Sequence, residues 1–259
     1  MDEQNNAALP VEPAAETKKK RRPIRHMIWA VCLIALLIVL LYTLLCERPI
    51  FRSFGRRAVP GGRGNTWKLF GVGLLAGFAM NALCILAAWL HGDIVLSVGR
   101  FRPLYLLAAL VCVCVQSGAE ELVTRGYMMG AIRDRYNVWV AAAVNSLFFG
   151  ALHLLNPGIT VLSFVNVVAV GFALSVVMIK LESLWFCVAM HTAWNFSQSI
   201  FFGLPNSGIV SAGSFFHLDA ARDSVLYSAA FGVEGAITTT LVLLALTLCV
   251  LLAARRGRA

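Results

Sequence analysis

Charge is scarce in this sequence. Asp, Glu, Lys and Arg make up 14% of the 259 residues, against about 25% in a soluble globular domain. Acidic side chains are the rarer sign, 13 against 22 Lys and Arg. With a mean hydropathy of +0.77, this argues against a water-soluble domain. Strict alternation of apolar and polar residues is also missing from the apolar runs, which argues against barrel strands. No Cys-x-x-Cys occurs among the seven cysteines, at 32, 46, 84, 112, 114, 187 and 249. All lie in or beside apolar runs and read as small buried hydrophobes. No internal repeat stands out. No small-residue cleavage motif follows the first apolar run, so it reads as a retained span rather than a signal peptide.

What is abundant is long apolar sequence: 28–46, 69–90, 104–119, 138–152, 159–179, 184–204 and 225–254. A membrane-spanning helix needs about 20 mainly apolar residues, and a bilayer admits only helices or closed barrels. The expected fold is therefore all-α, a polytopic membrane bundle of about seven (seven to eight) transmembrane helices. Five stretches follow: a polar and basic tail over 1–26 whose first 17 residues lack a core-forming composition, N-terminal spans over 27–100 with a basic loop at 47–68, a helical core over 101–204, an external loop over 205–224, and a final span with a basic C-terminus over 225–259. The blocks "KKKRRPIR" (18–25) and 48–68 read as basic flanks of spans rather than a nucleic-acid surface. If spans alternate, Arg133, Arg135, Lys180, Arg255, Arg256 and Arg258 share one side, which favours a cytoplasmic C-terminus. Seven spans would then put the first basic block outside, against the same rule, so the N-terminal orientation stays open.

The few polar residues inside the apolar core are informative, because a charge at the bilayer centre costs roughly 3 kcal/mol or more. In "GAEELVTRG" (118–126), Glu121 and Arg125 are four apart on one helix face and are expected to form a buried ion pair. Glu120 points about 100° away. A carboxylate in a dry site can exchange a proton as an acid or base. The alternative is that both acids only hold helices together. "NSLFFGALH" sets Asn145, Phe149 and His153 at four-residue steps, and "HTAWN" sets His191 and Asn195 at the same spacing. With turns at 133–137 and 180–183 on one side and 155–158 on the other, Glu120 lies roughly 15–20 Å from the first side, His153 roughly 20–25 Å and His191 to Asn195 roughly 10–15 Å. Within the error of helix ends and tilt, these groups can meet in one cavity.

The motifs EELVTR (120–125), FGALH (149–153) and HTAWN (191–195) resemble, in order, the EExxxR, FxxxH and HxxxN pattern of the CPBP family. That family comprises CAAX prenyl proteases and bacteriocin-processing enzymes, also called Abi, and the resemblance covers about residues 101–200. "FGVEGAITTT" (231–240) resembles the start of the last span in bacterial relatives. The resemblance implies a multi-pass protein of a bacterial cell membrane that hydrolyses a peptide bond in a membrane-embedded or lipidated peptide. It implies a catalytic set of Glu120, His153, His191, Asn195, Glu121 and Arg125. Glu120 and His153 would activate water, His191 and Asn195 would bind the oxyanion, and Glu121 with Arg125 would hold the helix in register. Phe149 and Asn145 would line the substrate side.

No cofactor is expected. The alternative is Zn2+ held by Glu120, His153 and His191 with an open position, although the sequence lacks HExxH. GxGD and GxSxG are absent too, which argues against aspartyl and serine intramembrane chemistries, and Ser117 reads as a packing residue. His217 and Asp219 read as loop residues, His26 and His91 as solvated flanks, and Glu234 as an acid near the interface rather than in the cavity. The glycines of 71–77 and 118–130 read as close helix packing. Two other functions fit the same residues: a proton-coupled transporter, and a catalytically silent binding or immunity protein. The expected partners are the bilayer and a peptide substrate, with no nucleic acid.

Overall fold

Side-chain caps set the starts of four helices among the described residues. The computed structural model describes residues 64–256. The first apolar run, both N-terminal basic blocks up to residue 63, and Cys32 and Cys46 lie outside the described residues. Thr66 accepts a hydrogen bond from the Leu69 amide and opens α1, Trp67–Leu90. Pro103 stands in the first turn of α2, Pro103–Glu121, which continues through a π-helical stretch, Leu122–Met128, into α3, Met129–Arg133. Asn137 caps α4, Val138–Leu152. A capping box of Thr160 and Ser163 opens α5, Val161–Leu181, and Glu182 ends it in the left-handed region at φ 50°. Ser183 caps α6, Leu184–Phe196, which also runs on as a π-helical stretch, Ser197–Phe201. The last helix is α7, Ile237–Arg256.

Short connections at 134–137 and 182–183 turn the chain back between α3 and α4 and between α5 and α6. Helix α6 packs chiefly on α1 and α2, while α5 packs on α4 and α7. Nearly all of α6 is buried, so it is the central rod. Gly73 and Gly77 let α1 approach it closely: a Cβ on Gly77 would collide with the Met190 carbonyl oxygen, and one on Gly73 would come within 2.7 Å of the Phe186 carbonyl oxygen. This is the small-residue packing expected of membrane helices. Gly71 and Gly130 have open space instead.

Outward, the bundle presents large apolar side chains, including Leu75 (73% exposed), Leu107, Leu147 and Leu248. Three helices are long and apolar enough to cross a membrane, at Trp67–Leu90, Pro103–Arg133 and Val161–Leu181, and α4 and α7 contribute shorter apolar stretches. An apolar exterior on apolar helices describes an integral membrane protein. The expected helical fold stands, with six main helical rods among the described residues. Cys84 and Cys187 are buried as expected, but Cys112 and Cys249 are exposed. A lipid-facing position is as apolar as the core, so composition did not separate the two.

Two segments depart from simple spans and loops. Ile94–Val98 (β1) pairs antiparallel with Phe216–Ala221 (β2), from Ile94 opposite Ala221 to Val98 opposite Phe216. This small sheet joins the α1–α2 connection to the linker after α6. The apolar run from 225 does not start a helix at once. Its first part folds against the bundle, with Tyr227, Phe231 and Val233 fully buried, before α7 begins at Ile237. Asp93 fastens the sheet's base. One carboxylate oxygen accepts from Arg222 Nε at 3.0 Å, the other from Ser224 Oγ at 2.6 Å, and His91 Nδ1 lies 3.0 Å from both.

Burial by itself would raise the Asp93 carboxyl. Hydrogen bonds from Ser224, His91 and Arg222 together outweigh that and hold it below the usual carboxylate range. A depressed folded-state value means that the stabilisation is complete above the ordinary Asp value of about 3.9 and is lost as pH falls through the folded value. Protection of the β1 and β2 amides, taken relative to the intrinsic exchange rate at each pH, should therefore fall as pH drops below that range, and Asp93→Asn should remove most of this acid dependence.

Candidate active site

The polar centre begins at the junction of α2 and its π-helical continuation. Glu121 is fully buried, and its Oε1 accepts from Arg125 Nη1 at 3.0 Å, the i,i+4 ion pair anticipated from spacing. The same oxygen lies 2.9 Å from His191 Nδ1 on α6. Arg125 also donates to Thr124 Oγ1 at 2.8 Å and to the Gly171 carbonyl of α5 at 3.1 Å. Its guanidinium stands 4.7 Å from the ring centroid of Phe149 on α4, within cation–π range.

Glu120 is placed differently. Its side chain is 25% exposed, the Gln116 amide donates to Oε1 at 3.2 Å, and Oε2 lies 3.8 Å from His191 Nε2. His191 thus sits between the two acids, one ring nitrogen toward each. A carboxylate only accepts, so the Glu121 contact puts a proton on Nδ1 and leaves Nε2 on the Glu120 side.

His153, at the C-terminal end of α4, is held the same way. Its Nδ1 lies 2.9 Å from the Phe149 carbonyl oxygen, which can only accept. In the neutral ring the lone pair is then on Nε2, the form able to take a proton. The Phe149 ring contacts both histidines, at 4.8 Å from the His153 ring and 5.9 Å from that of His191. One turn after His191, Asn195 Oδ1 accepts from Asn206 Nδ2 at 3.1 Å.

Glu120, Glu121, Arg125, Phe149, His153 and His191 therefore form one contiguous group, and Asn195 extends it along α6. Asn145 does not face that group's accessible side. It is fully buried and donates to Ser175 Oγ at 3.0 Å, in the α4–α5 interface. Its four-residue spacing from Phe149 is right, but the face turns toward α5. Phe149 is 3% exposed and packs among the charged groups. Ser117 is fully buried on α2, in keeping with a packing position.

Glu234 was the acid that sequence placed near the interface. It is buried (6% exposed), accepts from Trp194 Nε1 at 3.2 Å and Ser207 Oγ at 2.7 Å, and also takes the Ser207 amide. Its only sequence signal was an acid inside an apolar run. Asn206 and Ser207 carried no signal. His217 and Asp219 lie on β2, where Asp219 accepts from Ser97.

No three His, Cys, Asp or Glu side chains among the described residues are grouped so as to hold a metal ion. The Nδ1 atoms of His153 and His191 are engaged by oxygen acceptors, which leaves Nε2 of each ring as the nitrogen available to a proton or a ligand.

Removing one partner of a buried ion pair strands the other charge and costs about 3–5 kcal/mol. Arg125→Ala should therefore strongly destabilise the protein, and Glu121→Ala similarly, read as thermal unfolding in detergent. Glu120→Gln, at a part-exposed carboxylate, should leave the unfolding temperature nearly unchanged.

Residues 102–197 match the family model described as type II CAAX prenyl endopeptidase Rce1-like. All three motifs and the whole polar centre except Asn206, Ser207 and Glu234 fall inside that segment. The uncharacterized protein YyaK of Bacillus subtilis (strain 168) is 28% identical over 180 residues, 63% of this chain and 60% of the relative. The chain thus spans about three-fifths of that relative's length. No solved structure matches. Family match and motifs agree with the helical bundle: residues 102–197, its core, are similar to the Rce1-like type II CAAX prenyl endopeptidases.

Proposed function

We propose that this protein is an intramembrane endopeptidase that cleaves a membrane-embedded or lipidated peptide with a water activated by Glu120 and His153. The observation that carries the reading is the contrast between neighbouring acids. Glu121 is sealed against Arg125, while the Glu120 carboxylate remains partly accessible beside His191.

In this mechanism a water molecule loses a proton to Glu120, assisted by His153 Nε2, and its oxygen bonds to the scissile carbonyl carbon. The carbonyl π electrons move to the oxygen. Donors from His191 Nε2 and Asn195 Nδ2 receive the oxyanion. Because Nδ1 of His191 already donates to Glu121, Nε2 donates to the oxyanion only when the ring carries both protons. Collapse of the intermediate breaks the C–N bond, and the abstracted proton passes to the leaving amine. Glu121 and Arg125 hold α2 in register.

The chemistry is taken as metal-free. Support comes from the ion pair that commits Glu121 to Arg125, since a metal-bound Glu120 would leave no free carboxylate as the base. Orientation follows from basic residues: the end carrying Arg133, Arg135, Lys180 and the C-terminus faces the cytoplasm of a bacterial cell, and the β1–β2 end faces outward. A reporter active only in the cytoplasm should work when fused after Ala259, and silence there would reverse the orientation.

Purified protein should cleave a quenched lipidated or transmembrane peptide, and Glu120→Gln or His153→Ala should lower kcat by about 10²–10⁴-fold, the usual contribution of a general base. Unchanged cleavage in Glu120→Gln would remove the assignment. Proton-coupled flux in liposomes without a peptide product would favour a transporter, and partner binding without turnover an immunity protein. Cleavage should also survive strict chelation; loss that Zn2+ restores would reinstate the metal.

A further inference from the structure

The loop after α6 makes a turn that its residues do not favour. Asn206 and Ile209 exchange both backbone hydrogen bonds, at 3.0 and 2.9 Å. Between them Ser207 has φ 46° and Gly208 φ 80°. Two successive positive φ values suit a tight hairpin turn. Gly208 meets that demand, and a Cβ there would collide with the Pro157 carbonyl. Ser207 is not a glycine, and such a residue persists at positive φ only where its surroundings over-determine it.

Glu234 supplies that determination. One carboxylate oxygen takes both the amide and the hydroxyl of Ser207, and the other takes the indole N–H of Trp194, the neighbour of Asn195 on α6. From the other side Gln198 donates to the Pro205 carbonyl at 2.6 Å. The loop is thereby clamped to α6 on both flanks of Asn206.

The consequence falls on Asn195. Asn206 Nδ2 donates to Asn195 Oδ1 at 3.1 Å, and a primary amide with its oxygen occupied must turn its NH2 the other way. Among the hydrogen bonds of the described residues, none uses Asn195 Nδ2. We infer that Asn206, held by the Glu234–Ser207 clamp, is a positioning residue that orients the Asn195 amide so that Nδ2 is presented to the oxyanion. The inference rests on the proteolytic reading, and neither Asn206 nor the clamp lies within the residues matched by the family.

The test compares Asn206→Ala with Asn206→Asp in the purified full-length protein on the quenched lipidated peptide. Alanine frees the Asn195 amide to rotate. Aspartate only accepts, and so pulls the Asn195 NH2 away from the reacting carbonyl. Loss of one oxyanion donor costs about 10²–10³ in kcat. Asn206→Asp should approach that loss and Asn206→Ala should show a smaller one, with KM near that of wild type and both variants fully folded at the assay temperature. Acting through Asn195, Asn206→Asp should add no further loss in an Asn195→Ala background. Equal kcat in wild type and both variants would overturn the inference, as would losses that merely track a lowered unfolding temperature or that multiply with Asn195→Ala. Wild-type turnover separates the two readings: without it the protease assignment itself fails. The thermal double-mutant cycle between Asn195→Ala and Asn206→Ala then decides the contact alone, and additivity there overturns it.

Discussion

A single buried carboxylate, that of Glu121, ties this bundle together at its polar centre. A charge removed from water must be paired and hydrogen-bonded, and its partners come from its own helix and from the neighbouring ones. Its Oε1 is shared between Arg125 one turn along and His191 on α6. The arginine it holds reaches the Gly171 carbonyl on α5 and the ring of Phe149 on α4. Four helices that otherwise touch through interchangeable apolar side chains are thus given one register. That matters in lipid, where burial of apolar surface scarcely distinguishes one helix face from another.

The same constraint separates the roles of two adjacent glutamates. Side chains one residue apart on a helix diverge by about 100°, so sealing Glu121 inward turns Glu120 toward the partly accessible side. Immediately afterwards the helix widens into π geometry over Leu122–Met128, and α6 does so over Ser197–Phe201 directly after Asn195. Such segments recur at functional sites because they re-aim side chains without ending the helix. Here both follow the polar residues by one or two positions. Thr124 Oγ1, inside the first of them, donates to the Glu120 carbonyl at 2.6 Å.

Much of the centre was legible in the sequence because helical spacing is rigid. A separation of four residues put Glu121 beside Arg125 and predicted one face carrying Phe149 and His153, and the structure has both. Spacing gives a shared face but not its direction, so Asn145 followed the pattern and yet faces Ser175 on α5. The π-helical stretches left no trace in composition, since they depend on which carbonyl an amide selects. The β1–β2 pair was hidden because five- and six-residue strands lie more than a hundred positions apart. Cys112 on the outer face of α2 and Cys84 in the core occupy equally apolar sequence, because here the solvent is itself hydrocarbon.

Glu234 illustrates a different limit. An acid in an apolar run signals either a membrane interface or a buried network, and the choice depends on partners distant in sequence. Its partners, Ser207 and Trp194, lie 27 and 40 positions away. Once they are known, the loop between α6 and β2 changes meaning. A polar connector that reads as solvated linker becomes a structured cap, with Ser207 held in left-handed backbone by two hydrogen bonds and Asn206 delivered to the end of the site. The helices alone bring His191 and Asn195 to the right height on α6, but an amide on a helix is free to rotate about its terminal bond, and only a donor fixed from outside the helix removes that freedom. The polar site of this chain therefore does not end with the helical rods: it extends into the connection that follows them, which the carboxylate of Glu234 fastens to α6 through Ser207 and Trp194.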